Sequence, residues 1–148
     1  MANSPLEMDM TIPCSSEFVS VIRLAVSGIA SRMNFTIEDI EDIKISVSEA
    51  CTNAIQHAYE SNPNVNNKIF VTAKIHPEEL EIVVEDKGKG FDLGILGTSS
   101  QKEASEKKMG LGLGITFIKN LMDHAEFSSN SGKGTKVRMF KKSPTPFQ

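Results

Sequence analysis

"ISVSEACTNAIQHAY", residues 45–59, carries two patterns at once. Ile43, Val47, Ala50, Ala54 and Ala58 recur at helical spacing and mark one side as the face that packs on a core. Glu49, Asn53, Gln56 and His57 fall on another side, because residues about one and two turns apart share a face. A carboxylate one turn ahead of an amide suits two jobs. The Asn carbonyl is a hard oxygen ligand of the kind Mg²⁺ takes, and the Glu can accept a proton from an attacking hydroxyl or water. A solvated polar face has the same spacing, so this pattern alone leaves both readings open.

Working outward, Thr36 in "NFTIED" (34–39) is a capping residue with Asp39 three positions on, and the spacing predicts a helix from Ile37 to about Tyr59. Its acidic first turns, with Glu38, Asp39, Glu41 and Asp42, suit the positive end of the helix dipole. Upstream, "LEMDMTI" (6–12) alternates as a strand, residues 13–16 form a break with Ser caps, and residues 17–32 repeat apolar positions at helical spacing. Downstream, the breaker-rich loop 61–67 leads to strands 68–75 and 80–86, joined by "HPEE" as a hairpin. Residues 87–108 are rich in Gly, Ser and Lys, a composition and length that mark either disorder or a functional lid. A helix over 115–124 and strands at 125–129 and 135–140 around "NSGKG" complete the pattern, and the polar tail 141–148 is expected to be loose.

The order predicts an α+β fold: a two-layer sandwich with a mixed, mostly antiparallel sheet and helices on one face. At 148 residues the chain is one domain, 1–148, with a substantial core. Hydrophobic residues at 39% and charged residues at 24% are ordinary for a globular protein. The net charge is −3 and the basic residues form no stripe, which argues against a nucleic-acid partner. No apolar run is long enough to span a membrane, and "MANSPLEMDM" lacks the features of a signal peptide. Cys14 and Cys51, widely spaced, form neither a zinc site nor a disulfide framework and read as buried thiols of a reducing cytoplasm.

Three glycine clusters follow the polar helix. "VVEDKGKG" (83–90) ends a strand on Asp86 and continues with Gly88 and Gly90. A fixed carboxylate there can accept a hydrogen bond from an exocyclic amine such as that of adenine, and the glycines let backbone approach a flat ring; a plain β-turn has the same residues. "GLGLGITF" (110–117) sets Gly110, Gly112 and Gly114 before a helix, where free N–H groups and the dipole suit an anion. It is neither a Rossmann fingerprint nor a P-loop. "SGKGT" (131–135) adds a turn and the hydroxyl of Thr135. Each cluster is modest alone; their order, E-x-x-x-N, D-x-G-x-G, lid, G-x-G-x-G, G-x-G-T, is more specific.

That order resembles the GHKL ATPase superfamily, which shares the Bergerat nucleotide-binding fold. Glu49 to Asn53 match its N box, Asp86 to Gly90 and Gly110 to Gly114 its two glycine boxes, and Gly132 to Thr135 its last box, over about residues 8–140. "IRLAVSGIASRM", "EDIKISVSEACTNAIQHAY" and "GLGLGITFIKNLMD" resemble in particular the anti-sigma factor serine kinases, of the anti-sigma-B kind. The resemblance implies a cytoplasmic, homodimeric protein that sequesters a sigma factor. It also implies phosphorylation of a serine on an anti-anti-sigma (STAS-type) protein, using ATP and Mg²⁺. It implies Glu49 as the base, Asn53 as the Mg²⁺ ligand, and Asp86 at the adenine amino group. His57, Gly88, Gly90, Gly110, Leu111, Gly112, Gly114 and Thr135 would shape the nucleotide site, 91–109 would be an ATP lid, and Arg23 would touch a partner. Lys107 and Lys108, just before the second glycine box, are either phosphate contacts or ordinary solvated charges. Two alternatives remain: a nucleotide-gated sigma-binding module without phosphotransfer, and a histidine-kinase-type ATP-binding domain. The second normally follows a helical hairpin with a phosphoacceptor His, and the roughly 35 residues before the polar helix hold no His.

Overall fold

The computed structural model describes residues 6–58, 67–87, 114–130 and 134–144. In chain order these form β1 (Leu6–Pro13), α1 (Glu17–Arg32), α2 (Ile37–Asn53), a π-helical turn (Ala54–Ala58), β2 (Lys68–Ile75) and β3 (Glu79–Asp86). After them come α3 (114–121), β4 (His124–Asn130) and β5 (Gly134–Lys142). The element order is the one the patterning predicts, and so is the α+β class.

The five strands lie in the order β1-β2-β3-β5-β4. Every pairing is antiparallel, so among the described strands the sheet is not the mixed one expected. Alternation within the strands decides which face is covered. Ile69, Val71, Ala73, Leu80, Ile82, Val84, Val137 and Met139 share one cluster with Ile22 and Val26 of α1, Ile43, Val47 and Ala50 of α2, and Ile118 of α3. The helices therefore cover one face, and burying that apolar surface is the main driving force of folding. β3 is central and buried over Leu80–Val84.

The other face carries charge. Glu81 is 4% exposed. Arg138 donates to its Oε2 through Nη2 (2.9 Å) and Nε (3.2 Å), and His76 Nε2 stands 2.9 Å from its Oε1. Burial alone would push the Glu81 carboxyl up. The hydrogen bonds of His76 and Arg138, with the charges of Arg138 and Lys74, outweigh that and hold it below the usual carboxylate range.

Local chemistry explains where the helices begin and end. Thr36 caps α2 as expected, its Oγ1 accepting from the Asp39 N–H (3.1 Å). Ser16, expected as a cap, makes no side-chain capping bond; the Phe18 N–H is instead satisfied by the Ser15 carbonyl (3.1 Å). α1 stops where Asn34 takes φ +64°, a left-handed conformation Asn tolerates better than most residues. The helix expected over 115–124 ends at 121. The Met122 N–H closes the last turn on Ile118, and the Asp123 N–H turns to the Phe140 carbonyl of β5 (3.0 Å). Two residues expected in the loose tail, Lys141 and Lys142, belong to β5, and the Ser143 N–H bonds the Glu78 carbonyl.

Candidate active site

α2 was expected to run unbroken to Tyr59. It is α-helical only through Asn53, and Ala54–Ala58 form a wider π turn that packs on β3 and β5. The physical difference is one of phase: a π turn closes i to i+5, so residues beyond Asn53 leave the stripe that α-helical spacing would give them. Glu49 and Asn53 lie upstream of the change and keep the one-turn relation. His57 falls within the π turn, and its side chain is outside what the structure describes.

The decisive contact is made by a missing side chain. A Cβ added to Gly114, the first described residue of α3, would stand 3.0 Å from Asn53 Nδ2, 3.2 Å from Glu49 Oε2 and 3.3 Å from Asn53 Oδ1. The Gly114 end of α3 thus packs directly on the carboxylate and the amide of α2, with no room for a methyl at ordinary contact distance. Glu49 and Asn53 are half-buried, so both stay reachable from solvent. On the opposite side of the same helix Val47, Ala50 and Cys51 sit in the core and hold the two polar side chains in place.

Asp86 ends β3 and is 3% exposed. It pairs in register with Thr135, whose N–H donates to Asp86 Oδ1 (3.3 Å). Gly134, the residue before, has φ +87°, and a Cβ there would sit on the Asp86 carbonyl oxygen. Gly134 belongs to the matched "SGKGT" stretch but was not among the expected site residues; the G-x-G-T spacing was the signal that could have singled it out. Cys14 lies close enough to Asp86 to feel its charge: burial first, and that carboxylate second, raise its pKa.

The described residues thus bring Glu49, Asn53 and Gly114 to one place and Asp86, Gly134 and Thr135 to another, linked by the π turn that packs on β3 and β5. Arg23 is exposed on α1. Gly88, Gly90, Gly110, Leu111, Gly112, Gly132, the lid 91–109 and Lys107 and Lys108 lie outside the described residues.

The histidine kinase-like ATPase domain family matches residues 12–141. The chain belongs to that family. Serine-protein kinase RsbW of Bacillus pumilus is 42% identical over 129 residues, covering 84% of this chain and 80% of its own length. RsbW of Bacillus subtilis is 38% identical over 136 residues, covering 89% and 84%, and that of Staphylococcus aureus 41% identical over 129 residues, covering 84% and 80%. In fold, the chain is similar to the solved RsbU and RsbW domains of a Mycobacterium tuberculosis protein, with a TM-score of 0.66 at 18% identity. That match covers 97% of this chain and 34% of the other. The GHKL-type resemblance is borne out, and family membership carries with it the use of ATP.

The residues fit such a nucleotide. A buried carboxylate at a strand end and a half-buried Glu–Asn pair packed on Gly114 are groups of the kind that an adenine and a phosphate-bound cation require. Among the described residues no three His, Cys, Asp or Glu side chains gather as a metal cage. Mg²⁺ is commonly held through one or two protein groups with phosphates and water. No described helix is long and apolar enough to cross a membrane.

Proposed function

We propose that this protein is an ATP-dependent serine kinase that also acts as an anti-sigma factor. It sequesters a sigma factor and phosphorylates a serine of an anti-anti-sigma protein of the STAS type. The observation that carries the reading is the packing of Gly114 on Glu49 and Asn53, which brings a carboxylate, an amide and the Gly114 end of α3 together. The relatives named serine-protein kinase, alike over most of their length, support the protein serine as acceptor.

When bound, Mg-ATP supplies the γ-phosphoryl group and the charge that offsets its oxygens. Asp86, fixed by the Thr135 N–H, accepts a hydrogen bond from the adenine amine. Asn53 Oδ1 offers the cation its protein ligand. The Gly-rich entry to α3 would cradle the phosphates. Glu49 Oε2 orients the serine hydroxyl and takes its proton, which leaves positioning and charge to do most of the chemistry. Arg23, exposed beside Leu24 and Val21 on α1, lies on a partner-contacting surface. The protein works as a homodimer in the cytoplasm.

The test mixes the protein, labelled ATP, Mg²⁺ and the cognate anti-anti-sigma protein. Label should appear on a serine, and Glu49→Gln should abolish transfer while nucleotide affinity stays near that of wild type. Normal transfer by Glu49→Gln would remove the base assignment. No phosphoprotein from the wild-type protein, with tight nucleotide binding retained, would reduce the function to nucleotide-gated sequestration.

A further inference from the structure

Lys141 stands in "FKK", a stretch that reads as the start of a polar tail. In β5 it pairs with Leu80, whose side chain faces the helices, so alternation turns the lysine toward the helical layer. Its side chain is 11% exposed. A lysine buried that far needs partners for its ammonium group, and among the described residues it has three. Nζ donates to the Leu121 carbonyl at the end of α3 (2.6 Å), and stands 3.5 Å from Asp42 Oδ2 and 3.9 Å from Asp39 Oδ1 in the first turns of α2.

These partners belong to the two helices that meet at the candidate site. α3 packs on Glu49 and Asn53 at its Gly114 end and is held to Asp39 and Asp42 through Lys141 at its Leu121 end. The lengths agree: at about 1.5 Å per residue, the seven steps from Gly114 to Leu121 match the seven from Asp42 to Glu49. α3 and α2 therefore run antiparallel, fastened at both ends, with Ile118 buried between the fastenings. The dipoles of antiparallel helices are opposed, so one ammonium group meets both the negative end of α3 and the acidic side chains at the positive end of α2.

We propose that Lys141 is a positioning residue for phosphotransfer. It clamps the far end of α3 to α2 so that the Gly114 end keeps its place against Glu49 and Asn53. This rests on the kinase reading above, and it assigns a role in that reaction to a residue remote from the reacting atoms. A lysine that only stabilised the fold would leave the site geometry, and hence kcat, untouched in protein that remains folded.

The experiment compares wild type, Lys141→Met, which keeps the apolar stem, and Lys141→Arg, which restores a cation. Each is assayed for kcat and for the KM of ATP, and for amide hydrogen exchange at residues 118–122 with and without ADP. Lys141→Met should lower kcat by about five- to tenfold, the scale expected for displacements of under an ångström. The KM for ATP should move less, exchange in α3 should speed up, and Lys141→Arg should recover most of kcat. In a cycle with Gly114→Ala the two losses should be less than additive, because both act on one contact. Folded Lys141→Met with wild-type kcat, or with unchanged exchange at 118–122, overturns the proposal. The exchange result decides even if wild type transfers no phosphate, which would defeat the kinase reading separately. Should Lys141→Met not fold, the double variant Asp39→Asn/Asp42→Asn must lower kcat in the same sense; wild-type kcat there also overturns it.

Discussion

Gly114→Ala is the sharpest perturbation of the site, because it pits two effects of one methyl group against each other. Within a helix Ala is the better helix former, a gain of up to about 1 kcal/mol in stability. Gly114 has no left-handed backbone to strain, and helix α3 tolerates the substitution on its own terms. The new Cβ nevertheless falls 3.0–3.3 Å from Asn53 Nδ2, Asn53 Oδ1 and Glu49 Oε2, so these side chains or the helix must give by a few tenths of an ångström. At roughly 100-fold in rate per ångström of misplacement, that shift is worth about four- to tenfold in kcat, or about 1 kcal/mol of barrier. The protein should therefore keep or slightly raise its Tm while kcat for serine phosphorylation falls. Calorimetry with ADP and Mg²⁺ should show a smaller loss in affinity, since Asp86 and Thr135 are untouched. Equal Tm together with equal kcat would refute the reasoning, for it would mean that the contact between α3 and the Glu49–Asn53 pair does not constrain the reaction.

Gly134→Ala should behave differently: its φ of +87° and the Asp86 carbonyl in its path make the cost structural, and Tm should fall by roughly 5 °C or more. Gly28→Ala on α1 is the control, since a Cβ there meets nothing within 4 Å, and thermal unfolding should show no loss. The folded Glu81 carboxyl sits below its ordinary value of 4.5, so its ion cluster stabilises the fold above that pH and the contribution disappears as pH falls below it. Glu81→Gln should thus lower stability at pH 7 and flatten the acid branch of a denaturation profile; an unchanged acid branch would rule this out. Cys51, its thiol pushed up to about 12 by burial, should resist alkylation at pH 8 in the native protein and react fully once unfolded.

The sequence made the fold legible through periodicity. Ile43, Val47 and Ala50 announced the buried face of α2, and alternation in 68–75 and 80–86 announced the hairpin. Glu49 and Asn53 were legible because they sit before the helix changes pitch. His57 was placed by α-helical spacing that the chain abandons at Ala54, and nothing in the composition of "AIQHA" signals a π turn. The roles of Gly134 and Lys141 were hidden for another reason. A left-handed glycine on the carbonyl of a neighbouring strand, and a lysine bonded to a helix end twenty residues away in sequence, exist only through tertiary register.

The polar groups of the site stand on rigid parts of the molecule, and that has a consequence for how so small a chain can carry out phosphotransfer. Glu49 and Asn53 project from a helix whose reverse face, Val47, Ala50 and Cys51, is at most 2% exposed. Asp86 closes the central strand, buried along most of its length. α3 supplies the third wall; among residues 114–121 the large side chain fully buried is that of Ile118, with Met122 buried just beyond. With so little of it buried, its position depends on its contacts with α2: Gly114 against Glu49 and Asn53, and Leu121 through Lys141. The movable wall of the site is therefore α3, and it is the element on which substitutions should alter turnover with the least effect on the core.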